Sequence, residues 1–568
     1  MDGPTVDAVG DGLQPGDGTS TFDAIGSDAP PPSDTPLPTD TPIPPPPGMT
    51  CTPPAMPVAI VNPIVVGTGT AASCTETALR DAVAMVAGGA NRPITFNCGM
   101  AATIRITRSI DLAMGRSFTF DGGGEVTIDA QGMSRIFYYR HPNFQEASAA
   151  TLTFQHLTLA NGRSSGPRIA VEGTPPCSTG YGVDAGGGAI WIRNARTRVI
   201  DVTFRDNQTP DIGPDMGGGG IYVVGNVETV VVGSRFVNGR GANGGGIGSL
   251  FGNLRVFNST FENNRATGFG ANNNDMASGC PRQPDGQYQT GSGGNGAAIC
   301  MDGGENYTVV LCGNTFRNNH ANAIGGAVFR TANVMRQTLT VDRCLFDGNN
   351  VGLDTGTMHT GDSGAIYVHN ARLELRDSTF ANNGAFAGAG AIKVTSTIVD
   401  FVNTTFFGNH IDRGIGGALA LFGSMGTIRN CTFSNNVVGG GGGFFAAAIA
   451  TGSATMPIDV SNTIFANNTT MDANAGMQCQ GMAMSGANNL QWPRNHTVGG
   501  RADTPCSAGI TFADPMLGAL GDNGGPTPTC RPGAPMATVQ IGTMCPMTDQ
   551  TGRARAMPCT CGSVEVPR

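Results

Sequence analysis

The stretch GGALALFGSMGTIRNCTFSNN, residues 416–436, is one complete structural unit. It opens on the small-small-aliphatic block Gly417-Ala418-Leu419. Ile428 stands five residues before Phe433, and Asn436 three residues after it. The same pattern recurs on Phe204, Phe236, Phe261, Phe316, Phe346, Phe380, Phe406, Phe433 and Phe465. An Asn follows three residues later in eight of the nine: 207, 264, 319, 349, 383, 409, 436 and 468. An apolar residue precedes by five in all nine: Val199, Val231, Val256, Leu311, Val341, Leu375, Phe401, Ile428 and Val460.

The distance from block to Phe stays between 14 and 18 residues, while the distance from Phe to the next block varies from 11 to 38. A near-constant part beside one variable loop is what stacked coils require. Inward residues must recur at one level, whereas an outward turn is free to change length. The units are too short and too Gly-rich for helical repeats. Each holds three strand-like pieces, and a lone coil cannot bury its inward face. Stacking pairs like strands in parallel at about 4.8 Å per coil, Phe on Phe and Asn on Asn. The prediction is an all-β, single-stranded parallel β-helix of roughly twelve coils, a rod on the order of 60 Å long.

Composition agrees. The chain has 568 residues, 86 of them Gly, and only 13% charged residues. There is no Gly-X-Y period and too little charge for a coiled coil. The net charge is −9, and eight Asp with no Lys or Arg fall in residues 1–50, so the remainder is near neutral. That excludes a concentrated basic surface for nucleic acid. No apolar run is long enough for a membrane span. Lys393 is the only Lys among 33 basic residues.

The organisation read from the sequence has four parts. Residues 1–57, rich in Pro and Asp, are expected to be a disordered stalk. Residues 58–91 form an N-terminal cap with a helix at 74–87, where Ser73 and Glu76 make a capping-box pattern and Leu79, Ala82, Val83 and Val86 share a face. Residues 92–478 are the β-helix. Residues 479–568 lose the period, gain cysteines and read as a Cys-rich cap over the open sheet end. Fifteen Cys without C-x-x-C spacing point to disulfides in an oxidising compartment rather than zinc. The candidates are Cys74, Cys98, Cys280, Cys300, Cys479, Cys506, Cys545 and Cys559, with a Cys280–Cys300 bond expected to pin the long loop near 262–298. A signal or lipoprotein leader is expected upstream of Met1.

The paired G-G-A-I and F-x-x-N tetrapeptides over roughly 186–468 resemble the repeats of chlamydial polymorphic outer-membrane proteins and related bacterial right-handed β-helix proteins. The opening, Cys74-Thr-Glu-Thr-Ala-Leu-Arg80 with Ile94-Thr-Phe-Asn-Cys98-Gly, is similar to the N-terminal cap of secreted bacterial β-helices. The string Asp522-Asn-Gly-Gly-Pro-Thr-Pro-Thr529, with Asp514-Pro515 and Cys545-Pro-Met-Thr-Asp-Gln550, is similar to a choice-of-anchor module. The resemblance implies right-handed coils of the pectate-lyase-like kind, export, and an adhesin-like life at the cell surface. The C-terminal part departs from the chlamydial pattern, having no alternating barrel strands.

Two sets of outward residues are candidate sites. On the strand ending five before Phe stand Asp342, Glu374, Arg376 and Asp400. Glu374 and Asp400 share a register on adjacent coils, a spacing that suits retaining glycoside hydrolysis. The competing reading is a solvated ladder neutralised by Arg376 and Arg429. One residue after each block aliphatic stand Trp191, Tyr222, Phe329 and Tyr367, a stripe able to stack on sugars unless loops fold over it. His359 and His369 near Asp362 are too scattered for a metal site, and no metal or cofactor is expected. The reading favours a non-enzymatic surface protein, a monomer whose partner is a cell-surface glycan or a host or neighbouring cell surface. A polysaccharide lyase or glycoside hydrolase is the alternative.

Overall fold

A computed structural model describes residues 51–567. It leaves out 144–145, 167, 170–176, 178–179, 226, 272–279, 283, 285, 304–307, 336, 353–360, 440–445, 453–456, 472–475 and 482–483. Residues 1–50 of the expected stalk, and His359, therefore lie outside the described residues.

The inward columns fall in the register the repeat dictates. Val199, Val231, Val256, Leu311, Val341, Leu375, Phe401, Ile428 and Val460 are successive parallel partners, and each is buried. The nine Phe form a second column whose rings stack at 4.5 to 5.3 Å between centroids. Because each ring covers the next, burying one coil requires its neighbours, and stability is shared along the stack. The strands join into a 24-stranded, a 12-stranded and an 8-stranded sheet, every pairing in these three parallel. The chain is a right-handed parallel β-helix.

The Asn column fills one turn. Asn349 donates from Nδ2 to Asn383 Oδ1 at 2.9 Å and to the Phe316 carbonyl at 2.9 Å, and its Oδ1 accepts from Asn319 Nδ2 at 2.8 Å. At the gap in the pattern, the Gly239 amide donates to Asn264 Oδ1 at 2.9 Å. The block glycines serve another turn: Gly187 and Gly218 sit at φ +65 and +71, and a Cβ on Gly188 would overlap the Gly219 carbonyl.

Helix α1, Glu76–Ala87, buries Leu79, Ala82, Val83 and Val86 against the first coil. Its N-cap is Thr75, whose side chain accepts from the Ala78 amide, rather than the Ser73 of the capping-box expectation. Glu76 turns instead to Arg80 and Thr107. The Cys74–Cys98 disulfide ties the helix to the rod.

The stalk expectation needs correction at its end. Residues 51–58 form a strap on the outer face of the largest sheet. Cys51 is bonded to Cys312 and lies over Ile200, Val230, Val232 and Phe257. Two carboxamides hold the strap as a neighbouring strand would. Asn258 accepts from the Cys51 amide and donates to its carbonyl, both at 2.8 Å, and Gln155 does the same for Val58 at 2.8 and 3.0 Å.

The C-terminal cap reaches beyond the end of the rod. Leu490–Trp492 and Thr511–Phe512 continue the sheet, with Cys479 bonded to Cys506. The chain then runs back along the flank. Asn462 donates to the Thr543 carbonyl, Arg555 to Asn403 Oδ1, Gln550 to the Ser378 carbonyl and Thr527 to the Asp377 carbonyl. The Arg555–Glu565 pair, 3.3 Å apart and almost fully buried, anchors this segment internally.

Candidate functional site

The strand register places Glu374 and Asp400 side by side, as partners on adjacent coils. Their surroundings are those of a neutralised ladder. Asp400 accepts from Arg376 at 3.1 Å on one oxygen, and from Thr427 at 3.0 Å and Arg429 at 3.5 Å on the other. Glu374 is held by Arg372 at 2.9 Å. Asp342 lies in the neighbouring column, opposite Arg376, and is taken by Arg343 at 2.8 Å. A nucleophilic carboxylate needs a free oxygen facing substrate, whereas both Asp400 oxygens are engaged.

The aromatic column divides in two. Trp191 and Tyr222 are buried, which removes them as ligand-binding residues. Trp191 stacks on Tyr138 at 4.8 Å and donates to the Val183 carbonyl at 2.8 Å; Tyr222 OH donates to the Asp215 carbonyl. Loops at 183–186 and 213–216 fold over both rings. Phe329 and Tyr367 stay partly exposed and stack at 5.6 Å. Further along the column Lys393, paired with Asp362, lies 5.6 Å from the Phe422 ring.

Beneath the Tyr222 loop sits a group the sequence reading missed. Asp215, Tyr222, Cys300 and Asp302 line one small cavity of about 20 Å³. Burial, then Asp215, push the Asp302 carboxyl up to about 6; burial also raises Asp215. Perturbed carboxyls are a signature of active sites. This cavity, however, holds about one water and no sugar.

Among the described residues, a larger and more open polar site lies at the turn of the Asn ladder. A polar cleft of about 320 Å³ is lined by Asp129, Gln131, Gly132, Asn161, Asp206 and Gln208. Asp129 Oδ1 accepts from the Gln131 amide at 2.7 Å and from Asn161 Nδ2 at 3.0 Å, and Asp206 Oδ1 accepts from Asn238 Nδ2 at 3.0 Å. Gln131, Asn161 and Asp206 have φ of +56, +52 and +58, so each is set by a left-handed turn. Carboxylates and carboxamides alternate acceptors with donors, which matches hydroxyls that do both. A signal for this turn was present in the sequence. The residue two after each repeat Phe is always Asn, Asp or Gly, the types that take this conformation.

Five disulfides stand among the described residues: Cys51–Cys312, Cys74–Cys98, Cys177–Cys280, Cys479–Cys506 and Cys545–Cys559. The expected Cys280–Cys300 bond is not formed. Cys280 pairs with Cys177, linking two loops, while Cys300 points from its strand into the cavity under Tyr222 as a buried thiol. Among the described residues no helix is long and apolar enough to cross a membrane.

No protein-family model and no curated protein matches the chain. Among solved structures, the chain is similar to PfbA, described as a surface protein and adhesin of Streptococcus pneumoniae. One PfbA structure is 10% identical, with 79% of this chain and 100% of that chain covered and a TM-score of 0.32. A second is 12% identical, covering 83% and 100%, with a TM-score of 0.28.

Proposed function

We propose that this chain is an exported, non-enzymatic binding protein of the cell surface or its surroundings, and that it holds a glycan along the side of a stiff rod. The observation that carries the reading is the cleft at Asp129, Asn161, Asp206 and Gln208. It is a shallow, open polar depression of about 320 Å³, lined by both hydrogen-bond donors and acceptors. The half-exposed Phe329–Tyr367 stack offers a second, apolar contact suited to a sugar face. The five disulfides support an oxidising, extracellular setting. The arginines on Glu374 and Asp400 speak against the hydrolase or lyase alternative.

The test is a glycan array on the purified chain, followed by titration of Asp206→Ala and Gln208→Ala variants. Affinity for the retained glycan is expected to fall at least about tenfold in each, the scale of one lost hydrogen bond to a charged or polar group. Unchanged affinity in both variants would remove the cleft from the reading.

A further inference from the structure

The chain uses lysine once. Of 33 basic residues, all but Lys393 are Arg, and every other described ion pair to a carboxylate is made by Arg or His. Arg makes the better ion pair, with a planar fork matched to a carboxylate. What a lysine amine offers and a guanidinium does not is nucleophilicity once its proton is lost.

Lys393 lies where that property has a target. It stands on the strand Ile392–Thr395, and its Nζ touches Asp362 Oδ2 on the preceding coil. Its register partner is Tyr367, which stacks on Phe329; the Phe422 ring closes another side at 5.6 Å. Both side chains of the pair are about four fifths buried, with 20% and 21% of their surface exposed. The second oxygen, Asp362 Oδ1, is buried and has no hydrogen-bond partner among the described residues. It occupies space cleared by Gly388 at φ +74, where a Cβ would collide with it. An ionised carboxylate is poorly served by one bare buried oxygen. An amide carbonyl, neutral and with the same shape, tolerates it better.

We propose that Lys393 and Asp362 are joined by an amide bond, a covalent staple between adjacent coils. Burial works against the Lys393 ammonium, while Asp362 and then Tyr367 hold it above its ordinary range. Transfer of one proton across the contact gives a neutral amine and a carboxylic acid, a pair that an apolar, aromatic pocket accommodates. The Nζ lone pair then attacks Asp362 Cγ. The new N–C bond forms, the C–OH bond breaks, and the hydroxyl leaves with an amine proton as water. No oxidant, metal or second substrate enters the balance. The staple spans 31 residues of chain, which includes the variable turn between the two coils, and it keeps those coils in register when the rod is pulled or locally opened.

The experiment is intact-mass measurement of the full chain after complete disulfide reduction, followed by a tryptic map. The expected mass is below the sequence mass by one water. Trypsin is expected to leave Lys393 uncut and to release peptide 344–372 joined to peptide 377–413. Lys393→Arg, which keeps the charge, is expected at its full sequence mass. Asp362→Asn is expected to lose ammonia rather than water in forming the same amide. A wild-type chain at full mass, or free peptides ending at Lys393, overturns the proposal. So does a loss of water that persists in Lys393→Arg.

Discussion

Cys51 is bonded to Cys312 across 261 positions of sequence, with their Cα atoms 5.9 Å apart. The bond fixes Cys51, and with it the strap at 51–58, to the outer face of the largest sheet. It also holds the strap over apolar residues, Ile200, Val230 and Phe257, that would otherwise face solvent. Replacing both cysteines by Ser is expected to lower stability by about 2–4 kcal/mol in denaturant unfolding. Limited proteolysis should then cut within 51–61, a segment protected in the disulfide-bonded chain, with the repeat region surviving.

The Asn ladder is expected to be as important as the Phe stack. Asn349 is fully buried, and its carboxamide serves the coils on both sides. Asn349→Ala strands Asn319 donors and the Phe316 carbonyl and should cost about 2–4 kcal/mol, comparable to the 3–5 kcal/mol expected for Phe346→Ala. Thermal unfolding of the two variants side by side measures this. A loss under about 0.5 kcal/mol for Asn349→Ala would place it with ordinary surface changes and contradict the ladder's role.

Stability is expected to depend on pH through Asp377. Burial is the main cause that lifts its carboxyl from 3.8 to about 6, and the Asn403 hydrogen bond only partly offsets it. The folded chain therefore binds more protons than the unfolded chain between about pH 4 and pH 6, so this group's contribution falls as pH rises through that window. Asp377 sits at φ +46 in a column continued by Asn403, Asn430 and Asn462, all at positive φ. Asn fits that backbone and can still accept from Asn403. Asp377→Asn should thus stabilise the protein by about 1–3 kcal/mol at pH 7 and make no difference below about pH 4. Melting curves over that range check both the sign and the window.

The core was legible because its repeat is enforced from coil to coil. The Phe, Val/Leu and Asn columns, and the Glu374–Asp400 register, follow directly from spacing. What spacing does not carry is anything lying against the rod from outside. The strap at 51–58 and the returning segment at 513–567 have no period, and their partners are set by single contacts such as Asn258 with Cys51. The burial of Trp191 depends on a loop 5–8 residues upstream of it rather than on its own column. Arg330 escaped for the opposite reason. It stands in an inward column between the apolar Met301 and Val368. It is accommodated because Gln337 and the Thr331 carbonyl accept from its guanidinium at 2.6 and 2.8 Å.

In the proposed function the rod binds a glycan and does not cut it. The most direct test is to incubate the purified chain with a glycan it retains on the array, and to assay new reducing ends and unsaturated ends over time. The account predicts saturable binding with neither product above the protein-free control. Steady release of either product, abolished by Glu374→Gln and Asp400→Asn while binding persists, would contradict it.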